Sequence, residues 1–240
     1  MSEGADGKDG AAENAVPGVP STLEERCQGR RVIVVLKRAS LEIVKTKKGE
    51  YELLNCDDHR RLVTKKSGKD PKDLRPDIVH QELLALLDSP LNKAGKLQVY
   101  IQTTLNVLIE VSPQIRIPRT FKRFSGLMVQ LLHKLKIRAH GNSTMLLKVV
   151  KTPVTLHLPP GCRTYGLSVE GTLYNPNHFA MQLPDDAPIV FFIGAMASGH
   201  ITKDEHPEIE EMIAISDYPL SGAAAISRLF GGIENNWGIF

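Results

Sequence analysis

Cysteine is scarce in this chain: Cys27, Cys56 and Cys162 are three in 240 residues, far apart and without a C-x-x-C pair. A disulfide scaffold and a thiolate zinc site are thereby disfavoured, and a reducing compartment is the natural home. Long apolar runs are missing too. The longest, Pro188 to Ala197, is too short to cross a bilayer, so no membrane association is expected. No basic stretch followed by an apolar one opens the chain, and no secretory signal is expected. The most informative absence is of acid. Residues 111–169 contain ten Lys and Arg and not one Asp or Glu. An ordinary solvated face interleaves the two signs, so this stretch reads as a surface for a polyanion, with nucleic acid the leading candidate.

What is present is ordinary globular composition, 42% hydrophobic and 24% charged, with a net charge of +3 that hides strong segregation. Residues 1–29 hold six acids against two bases and almost no large apolar side chains, which predicts a disordered acidic tail. Residues 170–240 hold ten acids against two bases, so anion binding and a second task are assigned to different parts of the chain. Residues 30–240 are expected to form one domain.

Arg31 to Leu36 is a continuous apolar run of the kind found in buried parallel strands. Glu52 to Asn55 reads as a short strand or a helix start, and residues 60–75 as a loop. Apolar spacing predicts a helix over Ile78 to Leu87, with Asp77 placed to cap it and Ser89-Pro90 to stop it. Leu97 to Thr103 and Val107 to Val111 read as a hairpin. Phe121, Phe124, Leu127, Met128, Leu131, Leu132 and Leu135 predict an amphipathic helix with Thr120 as its candidate cap. Strands are expected at Leu146 to Val150, Thr164 to Val169, Ile189 to Gly194 and Ile213 to Ile215, then a helix over Ser221 to Phe230. Alternating elements make an α/β fold with a largely parallel sheet flanked by helices.

Two loops stand where such sheets bind ligands, at the carboxyl ends of strands. One is Gly194-Ala-Met-Ala-Ser-Gly199, the other Ile215 through Ser221. Neither the P-loop nor the dinucleotide glycine pattern is present in the first, and each is equally readable as an ordinary connection. Asp57-Asp58-His59 and the group His200, Asp204, Glu205, His206 contain metal-ligating types. Their spacing fits no single helix face, so solvated loops are the better reading and no metal site is expected. Arg116, Arg119, Lys122 and Arg123 crowd into eight residues at a helix start, where backbone amides add positive character. Phosphate binding accounts for such a cluster, and arginine suits it through paired hydrogen bonds.

At this point the sequence resembles the pseudouridine-N1 methyltransferases of small-subunit ribosomal RNA, members of the trefoil-knotted SPOUT class. The resemblance is carried by Leu53-Leu-Asn-Cys-Asp-Asp-His59, Arg75-Pro-Asp77, Leu86 to Gln102, the block from Arg116 to Leu135, Gly194-Ala-Met-Ala197 and Asp217-Tyr-Pro-Leu-Ser221. It implies a C-terminal trefoil knot, S-adenosylmethionine as cofactor, a homodimer, work on small-subunit ribosomal RNA and a nuclear, nucleolar location. Residues implied at the cofactor are Leu167, Gly194, Gly199, Ile215, Ser216, Asp217, Tyr218, Pro219 and Leu220. Those implied at the RNA are Arg75, Arg116, Arg119 and Arg123. Asp77 is the candidate base for the N1 proton; orienting Arg75 through a salt bridge is its preferred role. Alternatives are an RNA-binding ribosome assembly factor whose main work is structural, among other assembly factors, and a tRNA methyltransferase of the same class.

Overall fold

The computed structural model describes residues 16–240 apart from 21, 48, 61–69 and 142. Its core is an eight-stranded sheet in the order β10-β8-β9-β1-β4-β5-β7-β6. The strands are β1 (Val32–Ala39), β4 (Leu97–Thr103), β5 (Leu108–Val111), β6 (Lys136–Arg138), β7 (Met145–Val150), β8 (Arg163–Leu173), β9 (Ile189–Gly194) and β10 (Glu211–Ala214), with β2 (Ile43–Lys45) and β3 (Tyr51–Leu53) forming a separate hairpin. The α-helices that lie wholly among the described residues are α1 (Leu23–Cys27), α2 (Pro76–Asp88), α3 (Pro90–Lys93), α4 (Phe121–Lys134), α5 (Pro176–Ala180) and α6 (Gly222–Trp237).

From β10 to β4 every pair is parallel, and from β4 to β6 every pair is antiparallel. Central β1 is buried over six consecutive residues, Val32 to Lys37, as a strand covered on both faces must be. Its alternate residues Val32, Val34 and Leu36 join the larger core with Leu83 and Leu86 of α2, Phe124 and Met128 of α4, and Ile226 and Leu229 of α6. Ile33 and Val35 face a smaller core, closed by Val154, Ile201 and Ile209. The long helices thus lie on one face, and loops cover the other.

The structure departs from the sequence reading in places that have physical causes. Residues 1–15 of the expected tail lie outside the described residues, but Leu23–Cys27 within it is helical. Thr22 Oγ1 accepts from the Glu25 N–H at 3.1 Å while Glu25 Oε2 accepts from the Thr22 N–H at 3.2 Å, a reciprocal cap. Residues 61–69 of the expected loop are also outside the described set. Asp77 does not cap α2; Arg75 occupies that position without a side-chain cap, and the carboxylate of Asp77 is taken by Arg75 itself. Thr120 sits at the cap position of α4 but makes no capping bond. Ser89-Pro90 ends α2 and also starts α3, Ser89 Oγ accepting from the Asn92 N–H at 3.1 Å. Helix α6 runs seven residues past Phe230 to Trp237. At Gly232 an added Cβ would lie 2.5 Å from the Pro176 carbonyl oxygen, so glycine there is what lets α6 pack.

Candidate functional site

The carboxyl ends of β9 and β10 and the middle of β8 meet at one place, and α2 and α6 close over it. The result is a cavity of about 540 Å³. Leu167 and Ser168 come from β8, Ile193 and Gly194 from β9, and Ala214 from β10. Loops add Met196, Ala197, Gly199, Ile215, Ser216, Tyr218, Pro219 and Leu220, α6 adds Gly222, Ala223 and Ala225, and the α2 side adds Arg75, Ile78, Gln81 and Glu82. The two loops that the sequence marks separately therefore face one another across a single space. Of the nine residues expected at a cofactor, eight line it; Asp217 does not.

Main-chain bonds hold those loops. The Ala195 N–H donates to the Lys37 carbonyl at 2.8 Å, continuing the β1–β9 ladder. Arg228 Nε donates to the Ile215 carbonyl at 2.9 Å, pinning the second loop to α6. Ser221 Oγ accepts from the Ala224 N–H at 3.3 Å and caps that helix. Gly199 has φ +78°, a left-handed backbone that glycine adopts without strain. Ser198 Oγ donates to Asp73 Oδ1 at 2.6 Å, which ties the first loop to the turn just before Arg75.

Arg75 stands where the cavity meets a basic surface. Its Nε and Nη2 donate to the two carboxylate oxygens of Asp77 at 2.8 and 2.6 Å. These bonds hold the Asp77 carboxyl below the usual carboxylate range and fix the plane of the guanidinium, which stays 42% exposed. Asp77 does not reach the cavity lining. His80, one turn along α2, donates from Nε2 to the Pro118 carbonyl at 2.7 Å and stacks on Phe124 at 4.5 Å between ring centroids. That docks the Arg116–Thr120 segment and the start of α4 against α2.

Arg116, Arg119 and Arg123 are exposed and lie outside the cavity. Arg119 donates to both carboxylate oxygens of Asp88, at the far end of α2. Thirteen residues of helix separate Asp88 from Arg75, about 20 Å of rise. The arginines accordingly form a track rather than one cluster. Carboxylates from elsewhere also offset part of the acid-free stretch: Lys148 pairs with Glu110 at 2.8 Å and Arg163 with Glu210 at 2.7 Å. Arg116, Lys122 and Arg123 have no ion pair among the described residues, and they carry the free charge of the track.

The two metal-type groups have other work. His59 is buried, not solvated as expected, with Nε2 3.1 Å from Glu52 Oε2, and the Asn55 side chain bonds Asp58 at 2.9 Å. His200 pairs with Glu170 and His206 with Glu208. Sequence reasoning missed Glu82 and Ser168 in the cavity wall. For Glu82 a signal existed: it lies three residues after Val79 and four before Leu86, on the buried stripe of α2.

The geometry has counterparts. The family model described as EMG1/NEP1 methyltransferase matches residues 34–234. The Homo sapiens ribosomal RNA small subunit methyltransferase NEP1 is 53% identical over 211 residues, covering 88% of this chain and 84% of that protein. The Candida albicans protein of the same name is 51% identical over 233 residues, covering 94% and 86%. An archaeal Nep1 from Staphylothermus marinus is 32% identical over 196 residues, 80% of this chain and 84% of its own. Among solved structures, Archaeoglobus fulgidus Nep1 bound to S-adenosylhomocysteine superposes with a TM-score of 0.71 at 24% identity, over 88% of this chain and 99% of that one. That likeness bears on the fold alone, a mostly parallel sheet flanked by helices.

Proposed function

From the premise that this chain belongs to the EMG1/NEP1 methyltransferase family, we propose that it transfers a methyl group from S-adenosylmethionine to N1 of a pseudouridine in small-subunit ribosomal RNA. The observation that carries this reading is the position of Arg75, which lines the cavity and heads α2, the helix on which His80 docks the Arg116–Thr120 segment. A base held there sits between the cavity and that segment.

The cavity fits a nucleoside cofactor. Its walls are mostly apolar and glycine-rich, its volume is of the size small-molecule sites have, and the fully buried Glu82 in its wall has no hydrogen-bond partner among the described residues. When bound, S-adenosylmethionine supplies a methyl group on a positively charged sulfur, open to in-line attack by a nucleophile. The protein's residues do the rest by placement, which is worth on the order of 7–11 kcal/mol at best. Arg116, Arg119 and Arg123 hold the RNA through phosphates. Arg75 directs N–H groups at the base, where they spread the negative charge that develops as the N1 proton passes to solvent water. With both oxygens engaged by Arg75 and its proton affinity lowered, Asp77 is a weak proton acceptor. Its role in this reading is to aim Arg75.

The reading extends to a homodimer and to a nucleolar place of work in a eukaryote, where small-subunit RNA is made. Exposed Val169, Leu173 and Tyr218 offer apolar surface for a second copy. Among the described residues no helix is long and apolar enough to cross a membrane. Mass spectrometry of small-subunit RNA from cells with and without the protein tests the activity. Loss of one methylated pseudouridine supports it. An unchanged modification map, with subunit assembly impaired, favours the structural role instead.

A further inference from the structure

Glu82 is a side chain that the proposed chemistry does not use. It is 0% exposed, and neither carboxyl oxygen has a hydrogen-bond partner among the described residues. It nonetheless lines the cavity. A buried carboxyl without a partner destabilises a fold, and native proteins keep few of them. The backbone opposite is shaped around it. A methyl group on residue 222 would overlap the Glu82 carboxyl, so Gly222, the first residue of α6, leaves the space that the carboxyl takes. Burial pushes the carboxyl well above its ordinary range, which leaves it able both to donate and to accept.

Position decides what it meets. Arg75 and Glu82 both belong to the wall and are separated by seven residues of α2, about 10 Å of rise. The target base enters at the Arg75 end, so the reacting methyl belongs there and Glu82 faces the other end of the ligand. We propose that Glu82 is a cofactor-binding residue whose carboxyl accepts a hydrogen bond from an N–H or O–H group on the non-reacting part of the nucleoside methyl donor, in the space Gly222 keeps open. This rests on the reading of the cavity as the cofactor site. Two parts of the ligand carry such donors, the adenosine and the ammonium of its amino-acid arm.

Calorimetric titration with S-adenosylhomocysteine and with 5′-methylthioadenosine, which lacks the amino-acid arm, tests the proposal on the full chain, Glu82→Gln, Glu82→Met and Gly194→Val, with thermal unfolding of each. Glu82→Gln keeps an acceptor oxygen and is expected to weaken S-adenosylhomocysteine binding by less than Glu82→Met, which removes it and should cost at least about 10-fold. The unfolding midpoint of Glu82→Met without ligand should equal or exceed that of the parent, because an unpartnered carboxyl has gone. Equal losses for both compounds place the donor on the adenosine; a loss for S-adenosylhomocysteine alone places it on the ammonium. Parent-like affinity in Glu82→Met overturns the proposal. If Gly194→Val has then lost binding, the cavity reading stands and only the role of Glu82 falls. Parent-like binding in Gly194→Val overturns the cavity reading and this proposal together.

Discussion

The cavity and the basic track are built by opposite means. Around the cavity the chain presents backbone and small side chains, Gly194, Ala197, Gly199, Ala214, Gly222 and Ala223, at strand ends and one helix start. Along the track it presents long charged side chains, the half-exposed Arg75 and the exposed Arg116 and Arg123. A wall of backbone is sensitive to what a new side chain pushes into the space. A track of guanidinium groups is sensitive to the charge removed. The two regions share only Arg75, so most damage to one should leave the other intact.

Gly194→Val is the strongest way to break that independence. A Cβ at residue 194 would lie 2.9 Å from Met196 Cε, and Met196 lines the same cavity, so the added bulk drives the thioether into the ligand space. Overpacking of this kind costs about 1–3 kcal/mol, and here the proposed cofactor site bears it. S-adenosylhomocysteine affinity should fall roughly 10- to 100-fold by calorimetry, with RNA affinity within about twofold of the parent. A matching fall in RNA affinity would show that the two regions are coupled through more than Arg75.

The same contrast explains what could be read from sequence. Charge accumulates along a chain whatever the fold, so the Arg116–Arg123 cluster is visible in the order of residues alone. The hairpin of β4 and β5 is visible in its alternation. Strand direction beyond it is not: β5, β7 and β6 pair antiparallel through contacts set by the tertiary fold. The splitting of the arginines into a track is equally hidden, because it depends on Asp88 receiving Arg119. Glu82 hides for a different reason. A carboxylate on a helix is read as solvent-facing, and only its spacing from Val79 and Leu86 says otherwise.

Asp77→Asn sharpens the comparison at the shared residue. The substitution keeps the shape but turns one of two acceptors for Arg75 into a donor, so the guanidinium loses its fixed plane. RNA affinity should fall about 5- to 10-fold, the worth of one charge-assisted bond at a half-exposed site. Single-turnover methylation at saturating RNA should fall by no more than about tenfold, because Arg75 keeps its charge and loses only its aim. A mutant that binds normally yet reacts at least ~100-fold slower would make Asp77 the base. The pH dependence has a definite sign. Arg75 lowers the folded-state pKa of Asp77 beneath the ordinary value of 3.8, so the pairing is fully present above that value and is lost only as pH falls through the lower one. Between pH 5 and 7 the pairing should therefore be constant, and RNA affinity should not follow Asp77 there.

The smallest effects concern single phosphate contacts, and they test whether the track is uniform. Each arginine that meets a phosphate releases a counterion, so its removal should reduce the slope of log K against log salt by about 0.7 to 0.9. Arg116→Ala and Arg123→Ala should show that full reduction, since neither has an ion pair among the described residues. Arg119 begins in a two-bond pair with Asp88 and must give it up to reach RNA. Part of its charge is thus already neutralised, and Arg119→Ala should reduce the slope by less than the other two. Asp88→Asn should do the reverse, releasing Arg119 and making the slope steeper, with RNA affinity rising at low salt. If Arg119→Ala matches Arg116→Ala and Asp88→Asn changes nothing, the pair with Asp88 opens freely on the RNA, and the track behaves as one row of equal charges.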